Sequence, residues 1–185
     1  MPSELSRKEL LDKIEKDASA YEENWKGCSR SVMRALCENM DLGNDETIIA
    51  SAVLAGGGGL TMDTCGALSA GMMAIALAMG SKGATPKDPN DQEAFFRTLA
   101  AGNLFYISFL EEFGSSLCRH IQTRNLGKYY NIADPQQYKQ AVAAGVYGKA
   151  AGIVGRATRL AAEFIIEQRE NDWEEAQKAS IYIKE

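Results

Sequence analysis

The chain has 185 residues, 45% of them hydrophobic and 24% charged, and a formal net charge of −5 at pH 7. That length suffices for one domain with a sizeable core, and the acidic balance argues against nucleic acid or an anionic membrane as the main partner. Four cysteines are too few for a disulfide scaffold, and the first 20 residues are charged throughout. The sequence therefore predicts a cytoplasmic protein with reduced thiols and no signal peptide.

The first half of the chain has the apolar spacing of four amphipathic helices. The glycine at position 43 ends the second, and the run Gly56–Gly59 ends the third. The four helices are predicted after an N-cap at Ser3, over 32–40, over 45–54 and from about 64 to 79.

The second half begins with a turn segment, SKGATPKDPN, after which Asn90 is the predicted N-cap of a long helix. A short helix then carries Cys118 and His120, and a last long helix begins after Pro135, with interruptions at Gly145 and Gly148. The predicted inner face of the first long helix is Phe95, Phe96, Leu99, Asn103, Tyr106, Leu110 and Phe113.

No segment alternates as a half-buried strand would, and no linker divides the chain. We therefore expect an all-α fold, a single-domain helical bundle of about six to seven helices over 1–170, followed by a tail at 171–185. One uncharged stretch, 64–81, approaches the length of a membrane span. Its small residues and its lack of aromatic or basic flanks favour a buried helix and no transmembrane segment.

Three of the four cysteines fall at predicted helix starts. Cys28 follows Gly27, Cys65 follows the capping residues Asp63 and Thr64, and Cys118 follows two serines. The partial positive charge and free N–H groups of a helix N-terminus stabilise a thiolate, so we expect lowered pKa values at these three thiols. A thiolate is the form that attacks disulfides or binds soft metals.

Cys37 differs from the other three, because it lies in mid-helix on the apolar stripe and is predicted to be a core residue. The run Gly56–Gly59 either connects two helices flexibly or lets the backbone approach a neighbour or cofactor closely. Since no strand precedes it and no Gly-Lys-Ser/Thr follows, it is not a phosphate loop.

These features together resemble the C_GCAxxG_C_C family. The matching stretches are GCSRSVMRAL at 27–36, GGGGLTMDTCGALSAGMMAIALAMG at 56–80, FGSSLCRHI at 113–121 and GKAAGIVGRATRLAAEFI at 148–165. The resemblance implies a small helical protein, defined by four cysteines and regarded as redox-active. A related domain in split-Soret cytochromes c is associated with an iron–sulfur cluster.

Carried over by position, the family's first three cysteines are Cys28, Cys65 and Cys118. The resemblance implies a fourth near Ala150, where this chain has none, and the motif's last glycine appears as Ala70. A fourth ligand would then come from elsewhere. The single histidine, His120, would complete a Cys₃His site, although it is more simply a surface residue.

Three functions remain open from the sequence. In the first, Cys28, Cys65 and Cys118 bind an iron–sulfur cluster or another soft metal for electron transfer or redox sensing. In the second, Cys65 is a metal-free redox thiol that exchanges disulfides with Cys28 or Cys118. In the third, the site is degenerate and the protein is a non-catalytic binding or assembly module. The partner would be an unknown redox or transport-associated protein, and smooth Ala/Gly faces suggest a homodimer.

Overall fold

The computed structural model describes residues 5–79 and 92–170, and within them all regular structure is helical. This confirms the all-α helical bundle. The predicted cap at Asn90, the turn before it and the tail at 171–185 lie outside the described residues. The eight α-helices are α1 (Arg7–Trp25), α2 (Cys28–Met40), α3 (Asp45–Ser51), α4 (Gly66–Met79), α5 (Gln92–Phe113), α6 (Cys118–Leu126), α7 (Pro135–Ala143) and α8 (Val146–Glu170).

Within the described residues, helices α1 and α8 pack against each other more extensively than any other pair of helices. They run antiparallel, since Arg7 pairs with Glu167 and Asp12 with Arg159. Helix α1 begins at Arg7, because Ser6 and Glu9 form a capping box, so the cap is Ser6 and not Ser3. Gly155 lets the two helices approach closely, since a Cβ there would lie 2.1 Å from Ser19 Oγ. Ion pairs such as Arg7 to Glu167 line the seam at 3.0 Å. They are exposed, so buried apolar surface contributes most of the stability.

Helix α4 lies at the centre of the bundle, in contact with α2, α5 and α8. It is the predicted buried helix of the uncharged stretch. Gly71 allows the ring of Phe105 to pack against its backbone, because a Cβ at Gly71 would lie 2.7 Å from that ring. No helix within the described residues is both long and apolar enough to span a membrane.

The inner face of α5 differs from the predicted one. Phe105 and Phe109 are fully buried, whereas Phe95, Phe96 and Leu99 are exposed. Apolar residues occur on more than one side of α5, so spacing alone left its orientation ambiguous. The contact of α4 at Gly71 with Phe105 selects the face that is buried.

The predicted last helix is two helices, which raises the count of α-helices in the described residues to eight. Asp134 caps α7 by accepting hydrogen bonds from the N–H groups of Gln136 and Gln137. The chain turns at Gly145, whose φ of +65° is left-handed and favours glycine. Helix α8 then continues without a break through the second predicted interruption, Gly148. The turn places the start of α8 beside the cysteine-bearing helix starts.

Candidate functional site

Each of the three predicted cysteines lies at a helix start. Cys28 is the first residue of α2, and Cys118 is the first residue of α6. Cys65 directly precedes α4, and its carbonyl accepts the first helical hydrogen bond from Ser69 N at 3.0 Å. Cys65 is therefore itself the N-cap of α4. The predicted capping residues, Asp63 and Thr64, directly precede it.

A short backbone pairing brings two of these helix starts side by side. Thr64 and Leu117 form an isolated antiparallel bridge. Around it, Cys65 N donates to Ser116 O at 2.8 Å and Cys118 N donates to Asp63 O at 2.6 Å. The starts of α4 and α6 are thus fixed relative to each other, with Cys65 and Cys118 on adjacent segments.

All three cysteines line one mostly apolar cavity of about 220 Å³. At roughly 30 Å³ for each water molecule, this is room for several small atoms or waters rather than for a drug-sized ligand. Cys65 is 6% exposed and Cys118 is 8% exposed. The four other polar side chains in the wall are Glu22, Lys26, Gln122 and Tyr147.

The glycine run forms part of this site. Gly56 lines the cavity, and its backbone N–H is one of the hydrogen-bond donors to the Cys28 sulfur. All four glycines have positive φ, from +58° to +81°. Gly57 is also sterically required, since a Cβ there would lie 2.3 Å from Asp63 N. The run is therefore a tightly folded segment that presents backbone to a thiol, rather than a flexible connector.

The glycine after Cys65 has a separate role. A Cβ at Gly66 would lie 2.7 Å from Cys28 Sγ and 2.6 Å from Leu54 O. Real Cβ contacts are essentially never this short. The Cys-Gly pair of the motif thus supplies one thiol and leaves the space that a second thiol needs.

The expected lowering of the thiol pKa values is wrong for the protein without a bound group. Burial raises the pKa of Cys28 to about 12 and that of Cys65 to about 11. Burial likewise raises the pKa of Cys118 to about 11. Backbone N–H groups act in the predicted direction, from Gly56 and Ser29 on Cys28 and from Leu68 and Ala67 on Cys65, but desolvation outweighs them.

Sequence reasoning missed Glu22, which is 4% exposed and lines the same cavity. Burial raises the pKa of its carboxyl to about 7. The signal was present in α1, where Leu11, Ile14, Ala18 and Glu22 are the buried positions at helical spacing. An acidic residue on an apolar stripe is a candidate functional residue, because buried carboxylates are normally paired or bound to metal.

The structure does not bring the candidate ligand His120 to the cavity. His120 is exposed, and its Nδ1 lies 3.2 Å from Ser115 Oγ. The neighbouring charged residues form ion pairs outside the cavity: Arg119 pairs with Asp63 at 3.3 Å, and Glu112 of α5 pairs with Arg156 of α8 at 2.9 Å.

Cys37 does not line the cavity. It was predicted to be a core residue, but it is only partly buried and packs against the edge of the main core. It lines a shallow surface groove with charged residues such as Arg34 and Glu38. By contrast, Ala150 does line the cavity, and it lies near the position at which the resemblance implies a fourth cysteine.

All four cysteines are free thiols. Among the described residues, no group of three or more His, Cys, Asp or Glu side chains is arranged to hold a metal ion. The three cavity cysteines therefore share one cavity without forming a preassembled metal site among the described residues.

These features define a helical protein with a buried three-thiol cavity. A family model described as "Putative redox-active protein (C_GCAxxG_C_C)" matches residues 27–164. The chain belongs to this family, as the sequence resemblance indicated. No curated protein and no solved structure matches the chain.

Proposed function

We propose that Cys28, Cys65 and Cys118 together hold an iron–sulfur cluster in the cavity, for electron transfer or redox sensing. The observation that carries this proposal is the lining of one mostly apolar cavity by three thiols from three helix starts. Thiolates are the protein ligands of iron–sulfur clusters, and a bound cluster supplies a one-electron redox centre.

The donor set suits an iron–sulfur cluster, because cysteine thiolates are the usual protein ligands of its irons. Three thiols from three separate helix starts line the same mostly apolar cavity. Donors such as Gln122 Nε2, 3.5 Å from Cys118 Sγ, are of the kind that tune cluster potential.

The first experiment is iron and acid-labile sulfide analysis with a visible spectrum, on protein purified without oxygen. We compare wild type with Cys28→Ser, Cys65→Ser and Cys118→Ser, and use Cys37→Ser as the matched control. The proposal expects iron, sulfide and thiolate-to-iron absorption in wild type and in Cys37→Ser, with loss in the other three. A wild type that remains colourless after reconstitution with iron and sulfide would contradict it, and so would binding of zinc alone.

A second candidate is metal-free thiol chemistry, favoured by the four free thiols, among which the described part of the chain forms no preassembled metal group. Two cavity thiols would reduce a peroxide and form one S–S bond, with release of water and an alcohol. The raised pKa values disfavour this reaction at neutral pH, because the thiolate is the nucleophile. A peroxide-dependent disulfide between two cavity cysteines, seen by peptide mass spectrometry in metal-free protein, would favour it over the cluster.

A further inference from the structure

Glu22 of α1 lines the same cavity as the three cysteines. It is 4% exposed and is one of the polar side chains in the cavity wall. Its charge acts in the same direction on all three cavity thiols, since it raises the pKa of Cys28, of Cys65 and of Cys118. One buried carboxylate therefore shares the cavity with all three thiols.

Within the protein, this carboxylate has little to bind. In the described part of the chain its only hydrogen bond comes from Ser31 Oγ to Oε2, at a long 3.4 Å, and it forms no ion pair. Arg30 is close in sequence, but its guanidinium donates to the backbone carbonyls of Lys26 and Trp25. A buried carboxylate with one weak partner is costly, unless it pairs with a cation or coordinates a metal.

The other polar groups of the cavity wall are less suited to bind a metal. Lys26 has only donors, and its ammonium lies 4.5 Å from the centroid of the Tyr147 ring. Gln122 uses its amide nitrogen on Cys118 Sγ and its oxygen on Tyr130 N. Burial raises the pKa of Tyr147 to about 12, so this phenol stays protonated. Glu22 alone among them offers an anionic oxygen without a strong partner.

Ala150 also lies in the cavity wall, at the position near which the family resemblance implies a fourth cysteine, and it contributes only a methyl group. A group that takes four protein ligands would need one more than the three thiols. Carboxylate oxygens serve beside cysteine in metal sites, although they are harder ligands than thiolate.

We propose that the Glu22 carboxylate is the fourth ligand of the group held by Cys28, Cys65 and Cys118. This rests on the proposed function. One carboxylate oxygen bonds to the metal in place of a fourth sulfur, and Ser31 orients the other oxygen.

The test compares wild type, Glu22→Gln and Ser31→Ala after anaerobic reconstitution, with iron and sulfide per chain and electron paramagnetic resonance as readouts. Glu22→Gln keeps the shape and the hydrogen bond from Ser31 but removes the anionic ligand. We expect it to lose at least one iron per cluster, about a quarter of the iron of a four-iron cluster, with a changed resonance spectrum. Ser31→Ala removes the hydrogen bond alone and should retain the iron of wild type.

A rescue variant guards against a merely structural effect. Ala150→Cys in the Glu22→Gln background supplies a fourth thiol from α8 and should restore the iron content, whereas Ala150→Ser should not. If Glu22→Gln fails to keep wild-type helicity by circular dichroism, Glu22→Asp is measured instead. It retains the charge but withdraws the carboxylate by one methylene, and the same loss of iron is expected.

Two negative results have different meanings. A wild type that holds a cluster, with Glu22→Gln equal to it in iron, sulfide and resonance spectrum, would overturn the role of Glu22 and leave the proposed function standing. A wild type that holds no cluster under the same conditions would overturn the proposed function, and the fourth ligand with it.

Discussion

The surroundings of the three cavity cysteines differ from those of Cys37, although all four residues lie on or beside helices. Cys28, Cys65 and Cys118 stand where helices begin, and backbone or side-chain N–H groups reach their sulfurs. Cys37 lies in the interior of α2, packs on the core and faces a groove with Arg34 and Glu38. Unpaired N–H groups exist only in the first turn of a helix. Position along the helix therefore decides which thiols receive these N–H groups, whereas burial decides the direction of their pKa shift.

The largest expected effect is on thiol reactivity in metal-free protein. With pKa values of about 11, Cys65 and Cys118 are about one part in a thousand thiolate at pH 8, against about a quarter for an unperturbed cysteine. We expect iodoacetamide to modify them at least a hundredfold more slowly than in urea-unfolded protein. Their rates should rise about tenfold per pH unit between pH 7 and 10.

Cys37 is the internal control in that experiment, followed by peptide mass spectrometry. Burial also raises its pKa, but it is open to a surface groove, so it should react before the cavity thiols. Rapid modification of Cys65 at pH 7, ahead of Cys37, would mean that the helix N-terminus outweighs burial after all.

The second prediction concerns the glycine run, which belongs to the cavity and not to the Cys37 groove. Gly57→Ala places a Cβ 2.3 Å from Asp63 N, in backbone that already has a φ of +79°. Left-handed strain and the backbone clash together should lower the free energy of unfolding by roughly 2–4 kcal/mol. Urea denaturation of metal-free protein measures the change.

Gly59→Ala is the matched control for Gly57→Ala. Its φ of +58° is also left-handed, but nothing lies within 4 Å of the added Cβ. It should cost only the strain, about 1 kcal/mol. Equal losses in the two variants would show that the approach of Gly57 to Asp63 has no special importance.

Sequence reasoning went further for these local features than for the contacts between them. Local polar residues indicated that Cys65 and Cys118 lie at helix starts, although the N-caps are Cys65 itself and Leu117 and not the predicted Asp, Thr or Ser residues. The pairing of Thr64 with Leu117 joins segments 53 positions apart, and no local pattern encodes it. The pKa direction was wrong for the same reason, since burial depends on elements that meet only in the fold.

Glu22 is a second example of this limit, because local sequence patterns do not encode contacts between helices. Its place on the buried stripe of α1 could be predicted from spacing, but its position in the cavity wall follows from how α1 packs against α2 and α8. The family resemblance pointed to one further position, near Ala150, that helical spacing alone did not connect with the three cysteines. Ala150 lies in the cavity wall.

The third prediction contrasts Glu22, in the wall of the three-thiol cavity, with Glu38, in the surface groove beside Cys37. The pKa of Glu22 is raised from 4.5 to about 7 by burial, with Lys26 and Arg30 acting weakly against it and the cavity thiols facing it. The folded state then disfavours the ionised carboxyl. Ionisation of Glu22 therefore does not lower the free energy of unfolding below pH 4.5, and it lowers that free energy by the full amount, about 3 kcal/mol, above pH 7.

Metal-free wild type should therefore lose stability relative to Glu22→Gln as the pH rises from 4.5 to 7, measured by urea denaturation at each pH. Glu38 is the control with the opposite sign. Burial acts against it, but hydrogen bonds from Tyr21 and Arg34 lower its pKa overall. Its contribution is present above the unfolded pKa and lost as the pH falls, so Glu38→Gln should be less stable than wild type at neutral pH. Parallel pH profiles for the two variants would contradict the contrast.

The smallest expected effect is at the ion pair beside the cavity. Arg119 Nη1 lies 3.3 Å from Asp63 Oδ1, and the two side chains are 40% and 60% exposed. Solvent and salt screen such a pair, so Asp63→Asn should cost less than about 1 kcal/mol, and 1 M NaCl should remove even that difference. The backbone bonds from Cys118 N to Asp63 O and from Arg119 N to Met62 O do not depend on the carboxylate. The iron content of Asp63→Asn should therefore equal that of wild type. A loss of iron, or of more than about 2 kcal/mol, would mean that the ion pair rather than the backbone pairing holds the two cysteine-bearing segments together.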